Sequence, residues 1–412
     1  MKTLLHFIDK VQHSKVINAL FLGLTLLAFA LGSTYLFTRP MGSGDEALFL
    51  DNFEFLKING WSEAIASKIP LTYFILVYPF ALFIKPYLAF RLVNCLLFVL
   101  LLFYFYKKGF FKQLYFLTYF IFFSSTAWFL IGTNDPLFII AIVVFFTESY
   151  LLIEKKNYNV SLLFSALIVA FFTRELIYIY IPVLVFTFYL LYKSGIQLGK
   201  SLLVPGVLFL VLLAINIPSI QKNHSLSYDD KTPPKELACT WTQRQYLAQL
   251  LVNQGKLPNH QHPSFEETIA YLKANGEDSL PKTISESLTF DYQLTIKEFF
   301  KDFIEVLFYS IRNTGLIVFF VLLVPFLGFK KSNFMATNYL PIVVFLVLAI
   351  FSFIIISYVE GRWLVPVYLM AIVFFCDKIV TQEKYKVVVF LNNIIIVSVL
   401  FFGIYRILPK LF

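Results

Sequence analysis

The segment PLTYFILVYPFALFI, residues 70–84, decides how this chain is threaded. It is apolar throughout, yet short and interrupted by Pro79. Crossing about 30 Å of hydrocarbon takes roughly 20 apolar residues in a helix. Read as a crossing, 70–84 inverts the sidedness of everything after it; read as a partly embedded or interfacial helix, it does not. The joints between the other apolar runs decide between these readings. With the N-terminus inside and 70–84 kept on the outer side, KKGFFK (107–112), EKKNYN (154–159), YKSGIQLGK (192–200), FKKSN (329–333) and DKIVTQEKYK (377–386) all face the cytoplasm. Each carries two or more lysines, whereas the opposite joints TNDP (133–136), TRE (173–175) and EGR (360–362) carry none. Lys and Arg accumulate on the cytoplasmic side, so the segment does not cross.

The rest of the chain supports a membrane reading. Of 412 residues 59% are hydrophobic and 14% charged, with 50 Phe and 24 Tyr, and the mean hydropathy is +0.76. Helices satisfy their own backbone hydrogen bonds in lipid. The expectation is therefore an all-α polytopic membrane protein with about eleven spans (10–13). They fall near 16–37, 87–106, 113–131, 136–153, 160–172, 176–192, 201–217, 304–327, 339–358, 363–379 and 387–405, with the C-terminus outside. The first run follows Lys2, Lys10 and Lys15 and is too long for a signal-peptide core, so it reads as an uncleaved helix. The net charge of +9 does not indicate nucleic acid, because the lysines sit at helix ends and not in a cluster. Cys95, Cys239 and Cys376 suggest neither a disulfide framework nor a metal site.

Three regions follow: an N-terminal transmembrane module (1–217) whose first outer loop is 38–86, an outer and mainly helical soluble segment (218–303), and C-terminal transmembrane helices (304–412). Within 218–303, Ser264 and Glu267 have capping-box spacing, and TIKE (295–298) repeats it, marking two helix starts. Asn223-His224-Ser225 is a sequon on the outer side.

Ionisable groups at membrane depth are costly and face a cavity or a partner. The threading brings Arg39, Asp45, Glu46, Asp51, Glu54, Glu63, Lys68, Arg91, Asp135, Arg174, Glu175, Glu360 and Arg362 to one face. Each has a plain reading alone: solvated loop acids, local Arg–Glu pairs, a headgroup anchor at Arg91, a helix cap at Asp135. Together they form a layout in which a carboxylate accepts a proton from an acceptor hydroxyl and arginines hold phosphate oxygens. Over 45–57, Asp51 and Glu54 share one helical face while Leu48, Phe49, Phe53 and Leu56 form another, the pattern of an amphipathic helix on the membrane. Asp45 and Glu46 stand at its N-terminus, where the helix dipole favours negative charge.

GDEALF (44–49), SKIPLTYFIL (67–76), AFRLVN (89–94) and GRWLVP (361–366), in this order, resemble the membrane-embedded GT-C glycosyltransferases. The likeness is to the branch holding protein O-mannosyltransferases and the aminoarabinose transferase of lipid A, and it covers about the first 220 residues plus the 360s. Ile69 departs from the pattern where members often have a proline, and 218–303 has no counterpart in it. The resemblance implies a GT-C-like fold and an inverting transfer from a polyprenyl-phosphate sugar donor to a lipid, glycan or protein acceptor at the outer face. It implies Asp45 as general base with Glu46 assisting, and Lys68, Arg91 and Arg362 on the lipid phosphate or holding the loop. Arg174, Glu175 and Asp135 join the substrate-binding candidates by location. No cofactor is expected; clustered carboxylates bind cations through oxygen, so a divalent metal is left open and not favoured. The Phe- and Lys-rich usage points to a bacterial inner membrane with the site facing the periplasm. Kept beside this reading are a transporter or flippase for a lipid-linked or anionic solute, a non-catalytic subunit or assembly factor, and a glycan ligase or polymerase of related build.

Overall fold

The computed structural model describes residues 2–39, 44–112, 114–124, 130–228, 238–327, 333–354 and 358–412. Residues 113 and 125–129 of the expected span 113–131, residues 355–357 of the expected span 339–358, and the lysines of the FKKSN joint lie outside them. The described residues are helical, without strands. In chain order the helices are α1 (Lys2–His13), α2 (Lys15–Thr38), α3 (Asp45–Ala66), α4 (Leu71–Ala81), α5 (Pro86–Lys107), α6 (Leu114–Ser124), α7 (Asp135–Ile153), α8 (Val160–Thr173), α9 (Ile181–Lys193), α10 (Leu203–Ile215), α11 (Ile217–Asn223), α12 (Trp241–Asn253), α13 (Phe265–Asn275), α14 (Ile284–Phe290), α15 (Tyr292–Thr314), α16 (Ile317–Leu327), α17 (Phe334–Thr337), α18 (Tyr339–Phe353), α19 (Val365–Phe374) and α20 (Lys386–Leu411).

Five helices among the described residues are long and apolar enough to cross a membrane, or seven if two bent pairs each count as one. The protein is therefore a helical membrane protein, with fewer full-length crossings than the eleven expected. Several expected spans fall on shorter apolar helices: α6, α8 and α18. The expected span 304–327 is not one helix. Its sequence is apolar enough, but the chain breaks between α15 and α16 at Gly315, whose φ of +64° lies in the left-handed region that favours glycine. Asn392 Oδ1 accepts from the following Leu316 N–H at 2.7 Å, which holds the break against α20.

The chain forms two compact units: Met1–Asp229 with Ser310–Val344 and Val365–Phe412, and Asp230–Tyr309 with Phe345–Leu364. These bounds differ from the expected soluble segment 218–303 at both ends. Residues 216–228 belong with the end of α3 and the turn after it, because Lys222 pairs with Glu63 at 3.0 Å. Ser227 Oγ also donates to the Ile69 carbonyl at 2.6 Å, and Asn223 Nδ2 to the Ala66 carbonyl at 2.8 Å. That last bond engages the sequon's own amide.

In the first unit α7 is the core helix. All of its residues except Ile140 are buried, and it packs on α5, α8, α9 and α19. A helix apolar on every side is one surrounded on every side. By contrast α2 and α20 leave most of their apolar surface open, as helices bordering lipid do.

Segment 70–84 contains only the 11-residue α4, about 16 Å long at 1.5 Å per residue and too short to cross. It is a structural support: Phe49 and Phe53 of α3 meet Phe74 edge-on with centroids 5.8 Å apart in both cases, and Phe53 meets Phe90 of α5 at 5.6 Å. The apolar face of α3 thus packs on α4 and α5 in an aromatic core. This corrects the expectation that it lies on the membrane, and Leu48 is excluded from that face, being exposed. Asp51 and Glu54 are on the wet side as expected. At Gly60 (φ +81°) the helix kinks.

The capping box at Ser264 starts α13. The one expected at TIKE does not: α15 starts at Tyr292, where Asp291 Oδ1 accepts from Leu294 N–H at 3.0 Å. Thr295 is already inside the helix, donating back to the Asp291 carbonyl at 2.9 Å.

A Cβ at position 315 would collide with Asn392 Oδ1 in a strained backbone. Gly315→Ala is expected to lower unfolding free energy by roughly 1–3 kcal/mol. Gly23→Ala, with nothing within 4 Å of the new methyl, is expected to cost nothing measurable. Thermal unfolding of the purified protein in detergent compares the two.

Candidate functional site

α3 opens at Gly44, whose φ of +71° turns the chain into the helix. Its first residue, Asp45, is exposed, and its second, Glu46, is buried. Adjacent helical positions differ by about 100°, so one acid faces inward and the other outward. Glu46 meets Arg91, which is 1% exposed. Arg91 Nε and one terminal nitrogen donate to the two Glu46 carboxylate oxygens, both at 2.9 Å. The other terminal nitrogen donates to the Leu36 and Arg39 carbonyls, each at 2.9 Å. Glu46 Oε1 also accepts from Gly132 N–H at 3.2 Å, and a Cβ on Gly132 would lie 2.5 Å from that oxygen. This pair fastens four chain segments: the end of α2, the start of α3, the second turn of α5 and the loop before α7.

A second ion pair stands beside this loop. Arg174 pairs with Asp135, both side chains being largely buried. Thr133 Oγ1 donates to Asp135 Oδ2 at 3.2 Å, and Asn134 Nδ2 to the Thr173 carbonyl at 3.1 Å. Asn94 links the two pairs: its amide nitrogen donates to the Ile131 carbonyl and, at 3.3 Å, to the Thr133 carbonyl. Its oxygen accepts from Tyr73 OH at 3.0 Å. Thr72 Oγ1 donates to the Phe172 carbonyl at 2.6 Å, tying α4 to the end of α8. Glu175 is exposed at the start of a 3-10 turn.

Lys68 sits where α3 stops. Lys68 N–H reaches the Ile65 carbonyl at 2.9 Å and Ile69 N–H the Ala64 carbonyl at 3.0 Å, with Lys68 at φ +62°. This is a Schellman stop with a lysine where glycine is usual, and Pro70 follows. The half-buried Lys68 side chain starts from this strained point.

The structure therefore brings Asp45, Glu46, Arg91, Asp135 and Arg174 to one end of the first unit and divides their roles. Four of the five Arg91 N–H groups are engaged by Glu46 and two carbonyls, so Arg91 holds the loop rather than presenting an open fork to phosphate. Glu46 is buried in the ion pair and Asp45 is exposed. Arg362 belongs to the second unit, where it pairs with Glu360. Nearby, Tyr358 has His260 edge-on at 4.3 Å and His262 stacked at 6.2 Å. Asn94 and Gly132 were not among the candidates. Asn94 carries a visible signal, a carboxamide one turn after Arg91 in an apolar run; Gly132 carries none. Among the described residues no three His, Cys, Asp or Glu side chains are grouped to hold a metal.

The opposite end of the same unit gathers the lysine-rich joints. Buried Glu148 accepts from Lys108 Nζ, Tyr104 OH at 2.9 Å and Asn159 N–H at 2.6 Å. Asp377 accepts from Lys156 Nζ at 2.5 Å and from Tyr150 OH, and Glu154 pairs with Lys378. A π turn over Phe375–Ile379 presents both Asp377 and Lys378 to this cluster.

No protein-family model, no curated protein and no solved structure matches this chain.

Removing one member of a buried pair strands the other's charge and costs about 3–5 kcal/mol. Glu46→Ala and Arg91→Ala are each expected to lose that much, with a strongly non-additive double variant. Asp45→Asn, at an exposed first turn, is expected to lose at most about 1 kcal/mol. Equilibrium unfolding in mixed micelles reads all four.

In the second unit, burial and then the charge of Arg244 push the His262 imidazole below its ordinary range, against the opposing pull of Glu360. Unfolded His262 therefore takes up a proton near pH 6.5 before the folded one does. Stability is expected to fall as pH drops through that value, and His262→Gln to flatten the fall in a melting-temperature series from pH 8 to 5.

Proposed function

We propose that this protein is an integral-membrane glycosyltransferase that moves a sugar from a polyprenyl-phosphate donor to an acceptor hydroxyl, with inversion. The observation that carries the reading is the split of the GDE motif. Asp45 is exposed at the N-terminus of a helix that Glu46, Arg91 and Gly132 hold in place. A general base has to be wet enough to meet its substrate and rigid enough to be aimed.

In this reading Asp45 takes the proton of the acceptor hydroxyl. The resulting oxygen attacks the anomeric carbon from the face opposite the donor phosphate. The bond between that carbon and the phosphate oxygen breaks, and the electron pair leaves on the polyprenyl phosphate. Lys68 and Arg174 are the cations assigned to that developing charge, while Glu46 and Arg91 position the base. Eleven crossings, a GT-C-like arrangement and a site facing the outer compartment of a bacterial inner membrane belong to the same proposal. The lysine-free joints 133–136 and 173–175 at the Glu46 end and the lysine-rich joints at the Glu148 end support that sidedness.

The second reading is a transporter or flippase for a lipid-linked or anionic solute. Transporters of that kind place polar groups near the bilayer midplane on broken helices. In α7 the ionisable groups Asp135 and Glu148 stand towards opposite ends, and residues 136–146 between them are apolar. That distribution favours chemistry at one end over passage through the middle.

The test uses purified protein in liposomes with a polyprenyl-phosphate sugar, following sugar transfer and donor translocation separately. Asp45→Asn is expected to reduce transfer by about 10²–10⁴-fold while the protein stays folded and inserted. Full transfer in that variant removes Asp45 as base, and translocation without any transfer by the unaltered protein favours the second reading.

A further inference from the structure

α15 carries its polarity inside out. Its residues 292–309 belong to the second unit, and there the covered side is mainly polar: Thr295, Glu298 and Asp302 are buried together with Val306. Glu298 accepts from Asn253 Nδ2 at 2.7 Å and Gln249 Nε2 at 2.9 Å. Thr295 Oγ1 donates to the Leu288 carbonyl at 3.2 Å, so α12 and α14 lie against this side. The open side is apolar. Tyr292, Ile296, Phe300, Ile304 and Phe308, at four-residue spacing, are each 52–64% exposed. Side chains so spaced form one ridge along a helix, here about 24 Å long at 1.5 Å per residue.

Two rows border the ridge. On one side Phe299 stacks on Phe353 of α18 with centroids 4.1 Å apart, and Phe303 meets Phe345 of α18 edge-on at 6.1 Å. Both α18 rings are themselves exposed, so the apolar surface continues onto a helix that is apolar almost throughout, YLPIVVFLVLAIFSF. On the other side run Gln293, Lys297 and Lys301, all exposed. A helix on a water-facing surface is built the opposite way, with its acids out and its phenylalanines in. A face more apolar than the interior behind it meets a medium more apolar than water. The segment does not cross that medium, because Lys297, Glu298, Lys301, Asp302 and Glu305 fall within it and each is costly in hydrocarbon. The pattern fits a helix lying flat at the boundary, with a lysine row beside its apolar ridge.

We propose that α15 lies in the plane of a membrane surface, with its ridge from Tyr292 to Phe308 among the acyl chains and Lys297 and Lys301 at the phosphates of anionic lipid. The lysine row singles out lipid among apolar partners. A bilayer offers a layer of negative headgroups beside hydrocarbon along the whole length of the helix, and long lysine stems reach from an apolar surface to that layer. The end of the segment expected to be soluble (218–303) and the start of the crossing expected over 304–327 are then one interfacial helix, which anchors the second unit directly to lipid. The placement rests on the second unit alone and does not depend on the transfer reaction.

The experiment uses the unaltered full chain in vesicles of phosphatidylcholine and phosphatidylglycerol. A phospholipid carrying a photoactivatable diazirine on one acyl chain, near the glycerol, is included, and crosslinks are mapped by mass spectrometry. Ile296, Phe300, Ile304 and Phe308 are expected to take label at a density like that of α2, and the exposed side of α13 (Glu266, Lys273) several-fold less. Vesicles of phosphatidylcholine alone are expected to lower the ridge label several-fold and leave that of α2 unchanged. Phe300→Asp, which puts a charge on the ridge, is expected to do the same in the mixed vesicles. An unlabelled ridge beside a labelled α2 overturns the proposal without reference to any variant. A water-soluble diazirine then tells why: its label on the ridge means that the ridge faces water, and its exclusion means that a second copy or another protein covers it. Ridge label unchanged in Phe300→Asp overturns the proposal too, and ridge label indifferent to phosphatidylglycerol overturns the part given to the lysines.

Discussion

The first unit depends on one buried ion pair. Glu46 and Arg91 are removed from water together, and such a pair is tolerable only when geometry and further hydrogen bonds satisfy both ions. Here both conditions are met: the contact is bidentate, two carbonyls take the remaining terminal nitrogen, and Gly132 N–H takes a lone pair. The consequence is positional. The start of α3 is fixed to the end of α2, to α5 and to the loop before α7, so Asp45 is held at a defined, exposed place. The aromatic contacts of α3 with α4 and α5 then exclude water from the other side of the same helix.

Charge in this unit is sorted to the helix ends. α7 illustrates the rule: its middle is buried and apolar, and its acids stand towards its ends with partners from α8 and from the joint after α5. A membrane helix gains nothing from an ionisable group at mid-depth unless something passes there. The two ends also differ in composition. One combines arginines and carboxylates beside an exposed acid; the other is a lattice of lysine–carboxylate pairs in which Glu148 and Asp377 each accept from a tyrosine as well as a lysine. The second end holds α7, α8 and α19 in register.

Much of the site was legible in the residues and part was not. The amphipathic pattern after GDE predicts α3, and the short run with Pro79 predicts a helix that does not cross. The inward turn of Glu46 was not legible, because two adjacent acids are equivalent until a partner 45 positions away is known. For the same reason Arg91 reads from sequence as an open phosphate ligand, and only its contacts show that four of its donors are engaged. The break at Gly315 was hidden because hydropathy averages over a window and is blind to one left-handed residue. Likewise, nothing local connects residues 345–364 with 230–309; that grouping depends on contacts between distant segments.

By itself the sequence determined what composition and periodicity control: a helical membrane protein, which segments are apolar, which joints carry lysine, and which acidic motif stands at a helix start. These are local properties, and burial of apolar side chains in lipid acts on each segment separately. Only the tertiary structure decided which of two neighbouring acids is an anchor and which faces water, which arginine holds a loop, and where an apolar run breaks. Those outcomes depend on which charges find partners when segments pack, and electrostatic partnership in a dry interior is set by distances of a few ångströms between residues far apart in the chain.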